Sequence, residues 1–222
     1  MVRLFYSLSV ETAERVTRIK ICGICRREDA LAAADMGADA LGFIAVPGGP
    51  RFITSDDYAE ISNALPLFVK RVVVVRRPED AEDYLAEYVQ HYDETQDKTR
   101  FRRGTQWRIR AFRVRDKASL QEIAHYPHAV GAILLDAYHD KALGGAGVSF
   151  DWNLARQAKA LTSRPLILAG GLTPDNVAVA LDTVQPYGVD VSSGVESAPG
   201  LKDHAKMRAL IRAVRQWDLD HA

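Results

Sequence analysis

A single-domain α/β fold, the (β/α)8 barrel, is what this sequence predicts, and three observations lead to it. From residue 18 onward, short β-branched runs alternate with longer amphipathic ones, the pattern of βα units on a parallel sheet. Seven such strands are plain and a weaker eighth completes the set within 222 residues, the compact end of the range for a closed barrel. The competing doubly wound sheet needs a G-x-G-x-x-G turn after its first strand, where this chain reads CGICRRED.

Met1 to Thr17 precede the first strand and are expected to form a short N-terminal extension, leaving 18–222 as the catalytic barrel. Strands are predicted at Arg18–Cys22, Ala38–Ile44, Val69–Val75, Trp107–Val114, Ala129–Leu135, Pro165–Ala169 and Gly188–Ser192. The fourth strand must fall between Tyr84 and Arg103. That stretch is strongly polar and only EYVQHY qualifies, so the fourth unit is expected to be irregular. Each strand should be followed by a helix. REDALAAADMG runs to a glycine C-cap, TSDDYAEISNAL and TPDNVAVALDTV open on a Thr followed by acidic residues, and LKDHAKMRALIRAVRQW closes the chain.

Composition excludes several classes of function. Lys and Arg number 29 and Asp and Glu 29, so no global field draws the chain to nucleic acid or to a membrane surface. The basic stretch KTRFRRGTQWRIRAFRVRDK could stack bases on Phe101 and Trp107, but a short run of this kind is expected to be a solvated face paired with nearby acids. No apolar run nears the roughly eighteen residues that span a bilayer, and the N-terminus mixes acids with arginines where a signal peptide is apolar. A cytoplasmic location is therefore expected. The six histidines show no pairing at metal-ligand spacing, and no metal is expected.

In such a barrel the loops after the strands converge on one rim and carry the chemistry. Lys20 and Cys22 fall on one side of the first strand by alternation and Ile21 on the other. Cys22, at the strand end, is a candidate base or nucleophile whose pKa is expected to fall toward the physiological range. Cys25 stands three residues before Glu28, the spacing of a capping box, and is read as a cap substitute. Arg51 lies in the second loop. Asp136 follows the apolar AILL, where burial raises a carboxyl pKa and suits a general acid. Asp190, inside the last strand, needs a partner or a substrate hydroxyl. Gly170 and Gly171, with the helix expected to open at Thr173-Pro174, and Ser192, Ser193 and Gly194 put small residues in the last two loops, where backbone N–H groups can approach a phosphate.

Taken in order, KICGI, DALAAADMGADALGFI, PRFIT, LLDAYHDKALGGAGVSFDW, LILAGGLTPDNVAVAL and GVDVSSGVESAPGLKDHAKM resemble the phosphoribosylanthranilate isomerase family of tryptophan biosynthesis. The resemblance implies an Amadori rearrangement of N-(5-phosphoribosyl)anthranilate, without metal or organic cofactor. It assigns Cys22 as base, Asp136 as acid, Arg51 to the anthranilate end, Asp190 to the sugar hydroxyls, and Gly170, Gly171, Ser192, Ser193 and Gly194 to the phosphate. The partner implied is this small phosphosugar substrate, with no nucleic acid or membrane, in a monomer or homodimer. One departure stands out: the family's fourth strand normally ends in a QLHG-like motif, and here VQHYDE puts Tyr92 and Asp93 in place of His and Gly. The alternatives are another phosphosugar isomerase or epimerase barrel, which would carry an acid where Cys22 stands, an inactive phosphate-binding barrel, and a redox or zinc protein using both cysteines.

Overall fold

The computed structural model describes residues 16–92, 107–114, 116–126, 130–137 and 152–222. Eight parallel strands close into one ring: β1 (Arg18–Cys22), β2 (Ala40–Ile44), β3 (Lys70–Val75), β4 (Tyr88–His91), β5 (Trp107–Val114), β6 (Ala132–Ala137), β7 (Leu166–Ala169) and β8 (Gly188–Val191). The ring shuts where β8 pairs with β1, Asp190 opposite Lys20. The weak EYVQHY candidate is thus a true strand, held by β3 and β5 on its flanks. β6 runs further than its predicted end at Leu135, so Asp136 sits inside the ladder opposite Ala169.

Helices α1 (Arg27–Asp35), α2 (Ser55–Asn63), α3 (Ser119–His125), α4 (Trp152–Ala160), α5 (Val177–Val184) and α6 (His204–Asp220) surround the ring. Thr54 caps α2 by accepting the Asp57 N–H, and Asp203 caps α6 by accepting from Ala205 and Lys206. Between β3 and β4 the expected helix is replaced by a 3-10 turn at Pro78–Ala81. Pro78 opens that turn, Asp80 accepts the Arg77 N–H, and the buried Ala81 and Tyr84 fill the place a helix would occupy. The region after β4, 93–106, lies outside the described residues, as does the N-terminal extension apart from Val16 and Thr17. After β8 a 3-10 turn at Ser193–Val195 leads into an antiparallel hairpin, β9 (Glu196–Ala198) and β10 (Leu201–Lys202).

Alternation sorts the side chains into two cores. Ile19, Ile21, Leu41, Phe43, Val73, Leu135 and Leu168 point outward and meet the helices at zero exposure, each such side chain contributing about 1.5–3 kcal/mol by burial. Val72, Ile109, Ala111, Leu134 and Ala169 fill the barrel interior, with Tyr88, Tyr92 and Ile167 against them. A polar element crosses that interior: the buried Lys20 ammonium donates to Asp190 Oδ1 at 2.9 Å and to Gln90 Oε1 at 3.0 Å.

Where it is described, the basic stretch exposes Arg113 and Lys117, as a solvated face does, and departs from expectation at Arg110. Arg110 is buried and lies over the rings of Phe112 and Tyr126, 4.5 and 5.6 Å from their centroids, because the outward face of β5 packs under α3. Arg100, Phe101 and the other residues of 93–106 lie outside the described residues. Among the described residues no helix is long and apolar enough to cross a membrane.

Candidate active site

The C-terminal ends of the strands bring Cys22, Gly42, Tyr92, Asp136, Asp190 and the last two loops to one rim. Cys22 ends β1 on the interior side with Lys20, as alternation requires. The backbone of Gly42 on β2 lets it sit there: a Cβ at Gly42 would fall 2.7 Å from Cys22 Sγ and 3.0 Å from Lys20 Cε. The thiol's pKa goes the opposite way from the sequence expectation. Burial pushes it above its ordinary value; Lys20 and Lys202 pull it back, and Asp190 adds to the rise.

Asp136 behaves as the apolar strand predicts. Burial raises its carboxyl pKa and the Asp190 charge adds to this, while Arg113, Lys20 and a hydrogen bond with Tyr92 oppose it. Tyr92 is the link that motif reading missed. Its phenol is pushed far up by burial and by the charges of Asp136, Cys22 and Asp190, so it remains a hydrogen-bond donor at any working pH. The Arg113 guanidinium lies 5.2 Å from the centre of its ring. The sequence signal was present, since Tyr92 continues the interior face of β4 two residues after Gln90, but a polar, irregular unit concealed it.

Asp190 finds its partner in Lys20, at side-chain exposures of 7% and 5%. For Lys20, burial disfavours the ammonium, but Asp190 and the Cys22 sulfur outweigh it and hold the pKa above its ordinary value. Arg51 reaches across Gly23 toward the rim, and its fork is already engaged. Nε and Nη2 donate to the Glu196 carboxylate at 2.9 and 2.6 Å. Glu196 accepts in turn from Lys202 Nζ at 2.8 Å. Burial alone would raise the Glu196 pKa, but Arg51 and Lys202 hold it below the usual carboxylate range. Neither Glu196 nor Lys202 was among the sequence candidates; Lys-Asp after a Pro-Gly turn reads as an ordinary helix start.

The loops after β7 and β8 meet. Gly170 and Gly171 take positive φ values of 87° and 67°. Gly194 approaches the loop after β7 so closely that a Cβ there would lie 1.8 Å from Leu172 O. Ser192 Oγ is buried with no hydrogen-bond partner among the described residues, an unsatisfied donor of the kind a bound anion would satisfy. The helix expected to open at Thr173-Pro174 starts later. Asn176 accepts the Thr173 N–H and donates to Gly171 O, closing a turn before α5 begins at Val177. Gly194→Ala is accordingly expected to destabilise the protein by about 1–3 kcal/mol and to raise KM more than it lowers kcat, as measured by thermal melting and steady-state kinetics.

The two cysteines are separate. Cys22 faces the interior, whereas Cys25 Sγ donates to Gly23 O at 3.8 Å and lies near the Gly200 turn of the hairpin. Cys25 is not a helix cap: the N-cap of α1 is Arg26, with no side-chain cap bond. No group of three His, Cys, Asp or Glu able to hold a metal occurs among the described residues.

Comparison with known proteins gives a consistent result. A family model described as N-(5'phosphoribosyl)anthranilate (PRA) isomerase matches residues 19–213. The N-(5'-phosphoribosyl)anthranilate isomerase of Geobacter sulfurreducens is 49% identical over 210 residues, covering 91% of this chain and all of that protein. A crystal structure of monomers of the dimeric enzyme from Thermotoga maritima superposes with a TM-score of 0.77 at 35% identity, covering 90% of this chain and 99% of that one. A phosphoribosyl anthranilate isomerase bound to reduced 1-(o-carboxyphenylamino)-1-deoxyribulose 5-phosphate superposes with a TM-score of 0.74 at 32% identity, covering 90% and 99%.

Proposed function

The chain belongs to the N-(5'-phosphoribosyl)anthranilate isomerase family, and from that premise we propose that it performs the Amadori rearrangement of tryptophan biosynthesis with Asp136 as acid and Cys22 as base. The substrate is N-(5-phosphoribosyl)anthranilate and the product 1-(2-carboxyphenylamino)-1-deoxyribulose 5-phosphate. Asp136 protonates the furanose ring oxygen and the ring opens to an imine. The Cys22 thiolate then removes the C2 proton to give an enolamine, which becomes the ketone. These are proton transfers that side chains supply, with no metal or organic cofactor. The observation that carries the reading is a carboxyl with a raised pKa and an inward-facing thiol on the rim of one barrel, both within electrostatic reach of Tyr92.

Phosphate is assigned to the backbone of Gly170, Gly171, Ser193 and Gly194 with Ser192 Oγ, the anthranilate carboxylate to the edge of Arg51 that Glu196 leaves open, and the sugar hydroxyls to Asp190. The enzyme works in the cytoplasm as a monomer or homodimer on this small molecule, with no nucleic-acid or membrane partner. The catalytic barrel is assigned to 18–222, with 1–17 preceding it in the sequence as an extension. The purified chain is expected to abolish the fluorescence of the anthranilate substrate as it turns over; a chain that leaves that signal unchanged would refute the function.

The shifts imply a particular protonation scheme. An ordinary thiol titrates well above an ordinary carboxyl, and here both move upward. The reactive pair, protonated Asp136 with Cys22 thiolate, is therefore a minor tautomer of the singly protonated site. The acid limb of a kcat/KM profile then reports Asp136 and the alkaline limb Cys22. The Tyr92 hydrogen bond lowers the Asp136 pKa, so Tyr92→Phe is expected to move the acid limb to higher pH and leave the alkaline limb in place. An acid limb unmoved in this variant would remove Tyr92 from the account.

A further inference from the structure

The hairpin that follows β8 buries an ammonium group which the mechanism above does not use. The Lys202 side chain has zero exposure, and its Nζ meets three acceptors: Cys22 O at 2.6 Å, Glu196 Oε1 at 2.8 Å and Ser192 O at 3.3 Å. An ammonium has three N–H donors, so these contacts exhaust it. The Lys202 backbone N–H is tied as well, to Asp29 Oδ2 of α1 at 3.2 Å. Each Nζ acceptor belongs to a different part of the rim. Cys22 O is the end of β1, Ser192 O begins the loop after β8, and Glu196 is the carboxylate that fixes the fork of Arg51.

We propose that Lys202 is a positioning residue, resting on the reading of Cys22 as base: one buried cation sets the thiol-bearing end of β1 against the phosphate loop and, through Glu196, aims Arg51 at the carboxylate end of the substrate. The chemistry favours this over simple packing. A hydrophobic side chain of similar volume would fill the space but could not hold two carbonyls and a carboxylate at a common point. Lys202 also places a positive charge on the Cys22 side of the site, where it favours the thiolate. Glu196 sits between Arg51 and Lys202, so the three groups carry one net positive charge. That leaves Arg51 attractive to an anion while its orientation is fixed.

Lys202→Met in a Cys25→Ser background separates these roles. Cys22 is then the one thiol of the chain, and its thiolate is followed by ultraviolet absorbance across pH without any assay of turnover. The thiol titration and the alkaline limb of kcat/KM are expected to move up together by about one pH unit, within the range that a charge several ångströms away exerts. kcat/KM between the limbs should fall by at least about tenfold, since the reactive tautomer shrinks by that factor for each unit. Glu196→Gln keeps the ammonium and frees Arg51; it is expected to raise KM severalfold while leaving the thiol titration in place. If Lys202→Met does not fold, the Glu196→Gln pair of readouts carries the test, and an unchanged KM overturns the proposal. A folded Lys202→Met whose thiol titrates as before also overturns it. Because the absorbance titration does not depend on catalysis, a failed assignment of Cys22 as base shows itself separately, as activity retained in Cys22→Ser.

Discussion

Cys22→Ser and Asp136→Asn are each expected to lower kcat by about 10²–10⁴-fold, the contribution of one positioned proton-transfer group. Serine nearly preserves the shape of the Cys22 side chain over Gly42 but its hydroxyl gives up a proton far less readily than a thiol, so no base is available near neutral pH. Asparagine preserves the shape of Asp136 beside Tyr92 and has no proton to give a ring oxygen. Both variants should bind product nearly as the wild type does, because neither group holds the phosphate or the anthranilate carboxylate. Cys25→Ser is the control. Its sulfur donates to Gly23 O across a long 3.8 Å contact, and steady-state rates should match the parent. Turnover that survives Cys22→Ser at the parental rate would refute the assigned base.

Lys20→Met carries the largest expected cost in stability. It leaves Asp190 buried without its 2.9 Å partner, and removing one member of a buried pair costs about 3–5 kcal/mol. For a protein of this size that corresponds to a fall in Tm of roughly 10 °C. Replacing both, Lys20→Met with Asp190→Asn, should recover most of the loss, since a buried pair exchanged for neutral groups is often close to neutral. The double variant stays slow, because it has lost both the charge that favours the Cys22 thiolate and the group assigned to the sugar hydroxyls. A single variant that melts with the wild type would show that water, not Lys20 alone, solvates the Asp190 carboxylate.

The barrel was legible because most of its strands carry short β-branched or aliphatic runs, such as VVVV in β3 and AILL in β6, separated by amphipathic stretches. Seven strands stood out and β1 was predicted to the residue. β4 was faint because it spends its interior face on Gln90 and Tyr92 and not on aliphatic residues. The helix missing between β3 and β4 was hidden for a different reason: PEDA is good helix-opening sequence and is capped like one by Arg77 and Asp80, yet the 3-10 turn stops at Ala81. In the candidate site, residue types at strand ends singled out Cys22, Asp136 and Asp190, and alternation anticipated that Cys22 shares the interior side with Lys20. The direction of the thiol shift was misjudged because sequence shows neighbours along one strand and not depth of burial. Glu196, Lys202 and the Tyr92 contact were out of reach for a related cause: they depend on which loops meet across the rim.

Cys22 and the lysine that holds its carbonyl are separated by 180 residues in the chain. Until the ring closes, Cys22 is an ordinary cysteine on a short strand, exposed to solvent and to oxidants, and nothing near it in sequence except Lys20 alters its chemistry. During synthesis the thiol therefore emerges early and its clasp nearly last, with β2 to β8 in between. A chain whose ring is still open is expected to expose this thiol to oxidants as any free cysteine does. The contacts that surround Cys22, from Gly42 on the neighbouring strand to Lys202 on its carbonyl, are complete only once the hairpin that follows β8 has docked.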